Sequence, residues 1–213
     1  MPAFHAIQYS YTFDELSADA KENAREWWRS CESRDFDPDC TLDDAATIAD
    51  LMGIDLRTRP VRLMNGGTRY APCILYSGFS SQGDGACFEG SYSYRKGSVA
   101  AVKAHAPLDK TLHDIVQGLA DIQREHFYQL GASVSHTGRY YHAHSTSIDV
   151  TYAGDDYRDL GDADETVKDL LRDFMDWIYR QLEAEYSFAM SNESVDESIR
   201  INDYRFAEDG RVL

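Results

Sequence analysis

Apolar residues recur along this chain with two periods, one of three to four residues and one of two. Ala20, Ala24, Trp27, Trp28 and Cys31 fall at three- and four-residue steps, which predicts a helix over Ala18–Cys31 with one buried face. Thr12 followed by Glu15 matches a capping box, and Ser17 offers an N-cap just ahead of that helix. The adjacent Trp27 and Trp28 read as core and rim of the same face. A second helix is expected from an N-cap at Thr41 through Ile48 and Leu51 to Gly53, a natural stop. Val99–Ala106, closed by Pro107, gives a third. Leu112, Ile115, Val116, Leu119, Ile122 and His126/Phe127 form the apolar stripe of a fourth, capped by Asp109 or Thr111. The longest runs from Asp164 to about Met190. Its seam is Val167, Leu170, Leu171, Phe174, Trp177, Ile178, Leu182 and Tyr186.

Between the helical stretches the period shortens. Phe4–Tyr9 alternates loosely enough to open a sheet. Ile54–Tyr70 holds the turn Asn65-Gly66-Gly67. Cys73–Tyr94 reads as strand, loop, strand around Ser80-Ser81-Gln82-Gly83-Asp84-Gly85. Gln129–His136 and Tyr140–Tyr152 alternate about the turn His136-Thr137-Gly138-Arg139, a hairpin signal. Val195–Ile199 predicts a helical turn, and Ile201–Phe206 an edge strand. No repeat or low-complexity linker interrupts the chain. The expected class is therefore α+β, an antiparallel sheet packed by amphipathic helices in a single domain over residues 1–213. Within it lie an N-terminal helical portion (12–53), a sheet-forming core (54–152) and an acidic C-terminal helix (164–190).

Charge changes the functional picture more than the fold. The 213 residues carry a formal net charge of −16, which argues against direct nucleic-acid binding, whose affinity comes from Lys and Arg neutralising phosphates. The charge is uneven. From Asp155 onward there are 17 Asp and Glu against 7 Lys and Arg. Asp169, Asp173, Asp176 and Glu183 sit off the apolar seam of the long helix, several at like-charge spacings that cost a few tenths of a kcal/mol per pair. Such a face is either solvated or presented to a basic partner. The one basic cluster is Arg57, Arg59, Arg62 and Arg69, which either balances neighbouring carboxylates or holds an anion. Cys31, Cys40, Cys73 and Cys87 show no paired spacing, and no secretory leader is legible, so reduced thiols in the cytoplasm are expected. Nor is any apolar run long enough for a membrane span.

Candidate chemistry is sparse. The Ser80–Gly85 loop has glycines that permit positive φ and close backbone approach, but matches neither phosphate-binding nor dinucleotide fingerprints. Asp84 either binds a ligand or closes an Asx-type turn on its own backbone. Asp35-Phe36-Asp37-Pro38-Asp39 lacks the glycine and distal Glu of a calcium loop. His142 and His144 would share one face of a strand, with His136 across the hairpin, three nitrogens for a metal at best. The water-activating acid of a zinc site would come from Asp84, Glu89 or Asp149, and a metal-assisted hydrolytic site would combine Asp84 and Glu89 with His142 and His144. A nucleotide-signal sponge would use the loop with Arg62 or Arg69. No cofactor is otherwise implied.

Two phrases carry a resemblance: Tyr11-Thr12-Phe13-Asp14-Glu15-Leu16-Ser17 with Ala20-Lys21-Glu22, and Ser77-Gly78-Phe79-Ser80-Ser81-Gln82-Gly83-Asp84-Gly85-Ala86-Cys87-Phe88-Glu89-Gly90. With Phe127-Tyr128-Gln129-Leu130, Tyr140-Tyr141-His142 and Trp177–Glu183, the chain resembles a family of small acidic phage and prophage proteins. Members are left hypothetical or loosely labelled as the antitoxin of a toxin–antitoxin stability system. The resemblance implies a phage protein acting on host machinery by inhibition or neutralisation. Together these readings favour a non-enzymatic inhibitor of a host defence or toxin protein with a basic surface, of anti-CRISPR or nucleic-acid-mimic type, working in the host bacterial cytosol. Its expected contacts are Ser80, Ser81, Gln82, Gly83, Asp84, Asp169, Asp173, Asp176 and Glu183. The alternatives are an antitoxin, the metal-assisted hydrolase and the sponge.

Overall fold

The computed structural model describes residues 9–32, 36–153 and 159–213. Most of the Phe4–Tyr9 strand expectation lies outside them. The fold is α+β, with antiparallel strands and amphipathic helices. The chain comprises two compact units, Met1–Asp37 with Ala184–Leu213, and Pro38–Glu183.

The terminal unit is helical. Helix α1 (Ala18–Glu32) begins where expected, with Ser17 Oγ accepting the Ala20 N–H at 3.2 Å. Glu15 accepts from the Thr12 N–H at 2.7 Å, holding a single 3-10 turn over Phe13–Glu15. Leu16, Ala20, Ala24 and Trp28 pack with Phe13, Val195, Ile199 and Phe206. Trp28 is buried and Trp27 half-buried, the core-and-rim division its spacing implies. The expected short turn at Val195 is a full helix, Asn192–Ile201, begun by Ser191 Oγ on the Ser194 N–H. That helix takes Ile201, so the expected Ile201–Phe206 strand shrinks to single bridges from Phe206 to Tyr11 and Val212. Arg25 pins the helical pair, bidentate to Asp196 at 2.7 and 2.8 Å.

The larger unit opens with α2 (Asp39–Met52). Its first turn starts two residues before the expected Thr41 cap, because Pro38 occupies the N-cap and places Asp39 against the helix N-terminus. Gly53 ends it at φ 90°, and a Cβ there would lie 2.2 Å from the Ser93 carbonyl oxygen. Six short strands follow: β1 (Ile54–Leu56), β2 (Thr58–Arg62), β3 (Thr68–Pro72), β4 (Ile74–Ser77), β5 (Gly85–Phe88) and β6 (Gly90–Ser93). After α3 (Ser98–His105) and α4 (Lys110–Glu125) come β7 (Leu130–His136) and β8 (Thr146–Tyr152). The sheet order is β1-β6-β7-β8, antiparallel throughout, while β2–β3 and β4–β5 form separate two-stranded ribbons.

Three ribbons meet at one node. Arg57 donates its N–H to the Glu89 carbonyl (2.8 Å), Glu89 to that of Cys73 (3.0 Å), and Cys73 to that of Arg57 (2.6 Å). Each of these residues joins one ribbon to the next, so β1/β6, β2/β3 and β4/β5 leave the node as three arms. The cyclic exchange satisfies backbone groups that would otherwise be orphaned where strands part company.

Alternation along the sheet buries Ile54, Tyr92, Leu130, Ala132, Val134, Ile148, Val150 and Tyr152. Against them pack the α4 stripe and the seam of α5 (Ala163–Ala189), with Phe88 edge-on to Phe174 at 6.0 Å. Asp109 caps α4 through the Leu112 N–H (2.9 Å), and its other oxygen accepts the Trp177 indole N–H (2.8 Å). The α4 stripe stops short of Phe127, which is exposed. Phe127 and Tyr128 turn the chain at φ 55° and 60°. The buried Gln123 amide causes this, donating to the Leu130 carbonyl at 2.6 Å and accepting its N–H at 3.2 Å.

Between β7 and β8 the expected hairpin turn is a longer connection, Thr137–Ser145, ending in a 3-10 turn over Ala143–Ser145. His142 and His144 therefore do not share a strand face. Ser145 Oγ takes the His142 N–H, and Thr146 Oγ1 donates to the Ala143 carbonyl, local bonds that replace the ladder. All four cysteines are free; Cys73 and Cys87 are buried, whereas Cys31, expected on the buried face of α1, is exposed where the helix runs past its core. Among the described residues no helix is long and apolar enough to cross a membrane.

Candidate functional site

The Ser80–Gly85 stretch is the tip of the β4–β5 ribbon, and its shape is set by one carboxylate. Asp84 Oδ2 accepts the N–H groups of Ser80 (3.0 Å) and Ser81 (2.6 Å), while the Asp84 N–H returns to the Ser81 carbonyl (3.1 Å). Asp84 thus closes the turn on its own backbone. Gly78 and Gly83 have φ of 22° and 98°. A Cβ on Gly78 would meet Asp84 Oδ2 at 2.7 Å, so only glycine admits that carboxylate. The side chains left facing solvent are Ser80, Ser81 and Gln82.

Aromatic rings join this tip to α5. Phe79 stacks between Tyr76 (6.2 Å) and Tyr179 (5.9 Å), and the Tyr179 hydroxyl donates to the Gly78 carbonyl at 3.3 Å. On the other flank the Tyr140 ring lies over Gly83. Burial pushes the Tyr179 phenol above its ordinary value, helped by the charges of Glu183 and Asp84.

Of the other acids on α5, Asp169, Asp173 and Asp176 continue the exposed stripe at helical spacing. They are not equivalent. Asp169 pairs with Arg172 (3.2 Å), which also reaches Glu165 (3.5 Å). Asp164 pairs with Lys168 (2.6 Å). Among the described residues no cation lies within ion-pair distance of Asp173, Asp176 or Glu183. Although Asp173 is exposed overall, its carboxyl is held above the usual carboxylate range, first by partial desolvation where it lines a cavity of about 270 Å³ and then by Asp176 and Asp169, with Arg180 opposing. The stripe is acidic at Asp173, Asp176 and Glu183, broken by Arg180, and neutralised at its N-terminal end.

The candidate metal set is not assembled. Among the described residues no group of three or more His, Cys, Asp or Glu is placed to hold a metal. His136 Nε2 contacts the Tyr140 carbonyl oxygen (3.0 Å), and the His142 and His144 rings stand 6.4 Å apart. Glu89 is engaged at the node. Its Oε1 accepts the His136 backbone N–H (3.1 Å), while Oε2 faces Arg57 (3.2 Å) and the Cys73 thiol (3.4 Å). Those contacts, the backbone N–H foremost, hold its carboxyl below the ordinary range, and burial raises the Cys73 thiol. The arginines named for an anion, Arg62 and Arg69, lie on the β2–β3 ribbon, apart from the loop, and Arg69 reaches Asp39 at 3.1 Å. Tyr179 and Phe79 were missed as site residues. Tyr179 lies three residues after Asp176 and four before Glu183, a helical spacing that could have placed it on the stripe.

One family description, a domain of unknown function (DUF8835), matches residues 38–192. No curated protein and no solved structure matches the chain.

Proposed function

The chain belongs to the DUF8835 family, and from that premise we propose that it is a non-enzymatic accessory protein that binds and blocks a basic host protein. The observation that carries this reading is the unpaired, exposed set Asp173, Asp176 and Glu183, joined through Tyr179 to the rigid Ser80–Asp84 tip. Like charges crowded together raise the free energy of the free protein, and an approaching Arg or Lys surface relieves it. The stripe supplies attraction and on-rate; the loop, fixed by Asp84, supplies shape. A toxin or a nucleic-acid-binding defence protein has the complementary surface, since its own ligand is a polyanion. This fits the phage-protein resemblance and an action in the bacterial cytosol.

The test uses the full chain as bait in a host extract, beside a variant carrying Asp173→Lys, Asp176→Lys and Glu183→Lys. A basic protein retained by the wild type at about 0.05 M salt, released near 0.5 M and ignored by the variant supports the proposal. Retention indifferent to salt or to the three substitutions removes it.

A further inference from the structure

The segment from Leu56 to Gly83 contains Arg57, Arg59, Arg62 and Arg69 and no Asp or Glu, in a chain with 37 acidic residues. Most of it is the β2–β3 arm. Cross-strand register puts Arg62 on one face with Pro60, Thr68 and Tyr70, and Arg59 on the other with Val61 and Arg69. Among the described residues Arg59 and Arg62 make no ion pair, and both are exposed, as are Met64 at the tip and Tyr70.

Proline also interrupts both open edges of the arm. The Leu63 N–H bonds the Gly67 carbonyl (2.9 Å) and the Cys73 N–H that of Arg57 (2.6 Å). Antiparallel pairs alternate between bonded and non-bonded, so Thr58↔Pro72 and Pro60↔Tyr70 are non-bonded pairs. At such positions an N–H points outward along the open edge; Pro60 on one edge and Pro72 on the other have none to offer, while Thr58, Arg62, Thr68 and Tyr70 keep theirs. With the edges interrupted, recognition falls chiefly to the exposed side chains, the arginines foremost.

We propose that this arm docks on the Asp173–Asp176–Glu183 stripe of a second copy of the chain. Each copy brings one basic arm and one acidic stripe, so a reciprocal pair satisfies both and closes on itself. A nucleic-acid backbone is the poorer occupant, because the chain as a whole carries a formal net charge of −16. The stripe is the one proposed above for the host partner, so the two occupants compete for it; self-association is read on the pure protein alone and fails or holds independently of the host partner.

The test is sedimentation velocity on the full chain at about 0.1 mM and low salt, repeated at high salt, where the association should weaken at least about tenfold. One variant carries Arg59→Glu and Arg62→Glu, the other Asp173→Arg and Asp176→Arg. All four sites are exposed, and unchanged thermal melts establish that both variants fold. Each variant alone should be monomeric, whereas an equimolar mixture should dimerise, since the acidic arm then meets the basic stripe and the basic arm the acidic one. A monomeric wild type, a dimer that survives in either variant, or a mixture that stays monomeric overturns the proposal. So does a labelled DNA duplex held by a monomeric wild type and released by Arg59→Glu with Arg62→Glu.

Discussion

Two ribbons leave the same node, and their fates are opposite. In β4–β5, all four residues of β5 are buried, and the tip is held by a carboxylate and a ring stack. In β2–β3 no side chain is buried and most are exposed, and at the tip Asn65 Oδ1 accepts the Gly67 N–H at 3.0 Å. Both segments lack acids until Asp84. What separates them is what they carry across the pleat. Ile74, Cys87 and Phe88 offer apolar surface to the core, whereas arginine on both faces of β2–β3 leaves no face to bury. A hairpin turn specifies that a ribbon forms; its side chains decide whether the core absorbs it.

The largest expected break in this contrast is Phe88→Ala. Phe88 is fully buried against Phe174, so truncation should cost about 3–5 kcal/mol in urea denaturation. Its counterpart Tyr70→Ala, 69% exposed, should move stability by less than about 0.5 kcal/mol. Comparable losses at the two positions would mean that β2–β3 is packed in solution.

Glu89→Gln, at the node that both ribbons share, comes next, at about 1–2 kcal/mol from weakened hydrogen bonds to a charged acceptor. Because the folded protein holds this carboxyl below its ordinary value, its contribution is complete above the unfolded-state pKa and is lost as pH falls through the folded one. The stability gap between wild type and Glu89→Gln should therefore narrow on acidification from about pH 6 to about pH 3. A gap that widens with acid would place the carboxylate elsewhere.

Asp84→Ala removes the acceptor for two loop amides. The loop is solvent-facing, so the global cost should be only about 1 kcal/mol. The sharper measurement is amide exchange, which should accelerate at Ser80 and Ser81 while the amides of β5 stay protected. Exchange that speeds up throughout β5 would tie the tip to the core more tightly than the bonds to Asp84 imply.

How much of this was legible depends on whether the signal is local. The buried face of α1 from Ala20 to Trp28, the Asp109 cap and the Gly53 stop follow from spacings within a few residues, and the structure keeps them, though Cys31 at the end of that face is exposed. So does the turn at Asn65-Gly66-Gly67. The node was illegible because Arg57, Cys73 and Glu89 stand 16 residues apart at each step, and no local pattern announces that three strand ends share hydrogen bonds. His142 and His144 misled for the converse reason. Alternation suggested a strand, but Ser145 and Thr146 offered the backbone nearer partners. The loop's polarity was visible; that Asp84 spends its carboxylate on the loop itself, and that Tyr179 ties the tip to α5, needed coordinates.

The smallest expected effect is the most telling about the exposed arm. Met64 is fully solvent-exposed at the turn of β2–β3, so Met64→Ser removes no buried surface and should leave both the urea midpoint and the slope unchanged within about 0.5 kcal/mol. An exposed methionine beside arginines is an adaptable apolar contact for a partner rather than a structural one. If dilute protein is unaffected while concentrated protein at low salt loses stability on the same substitution, the side chain is being covered by association. A loss that is identical at every concentration would instead place Met64 against its own chain, and the arm would then be a folded-back part of the core rather than a free one.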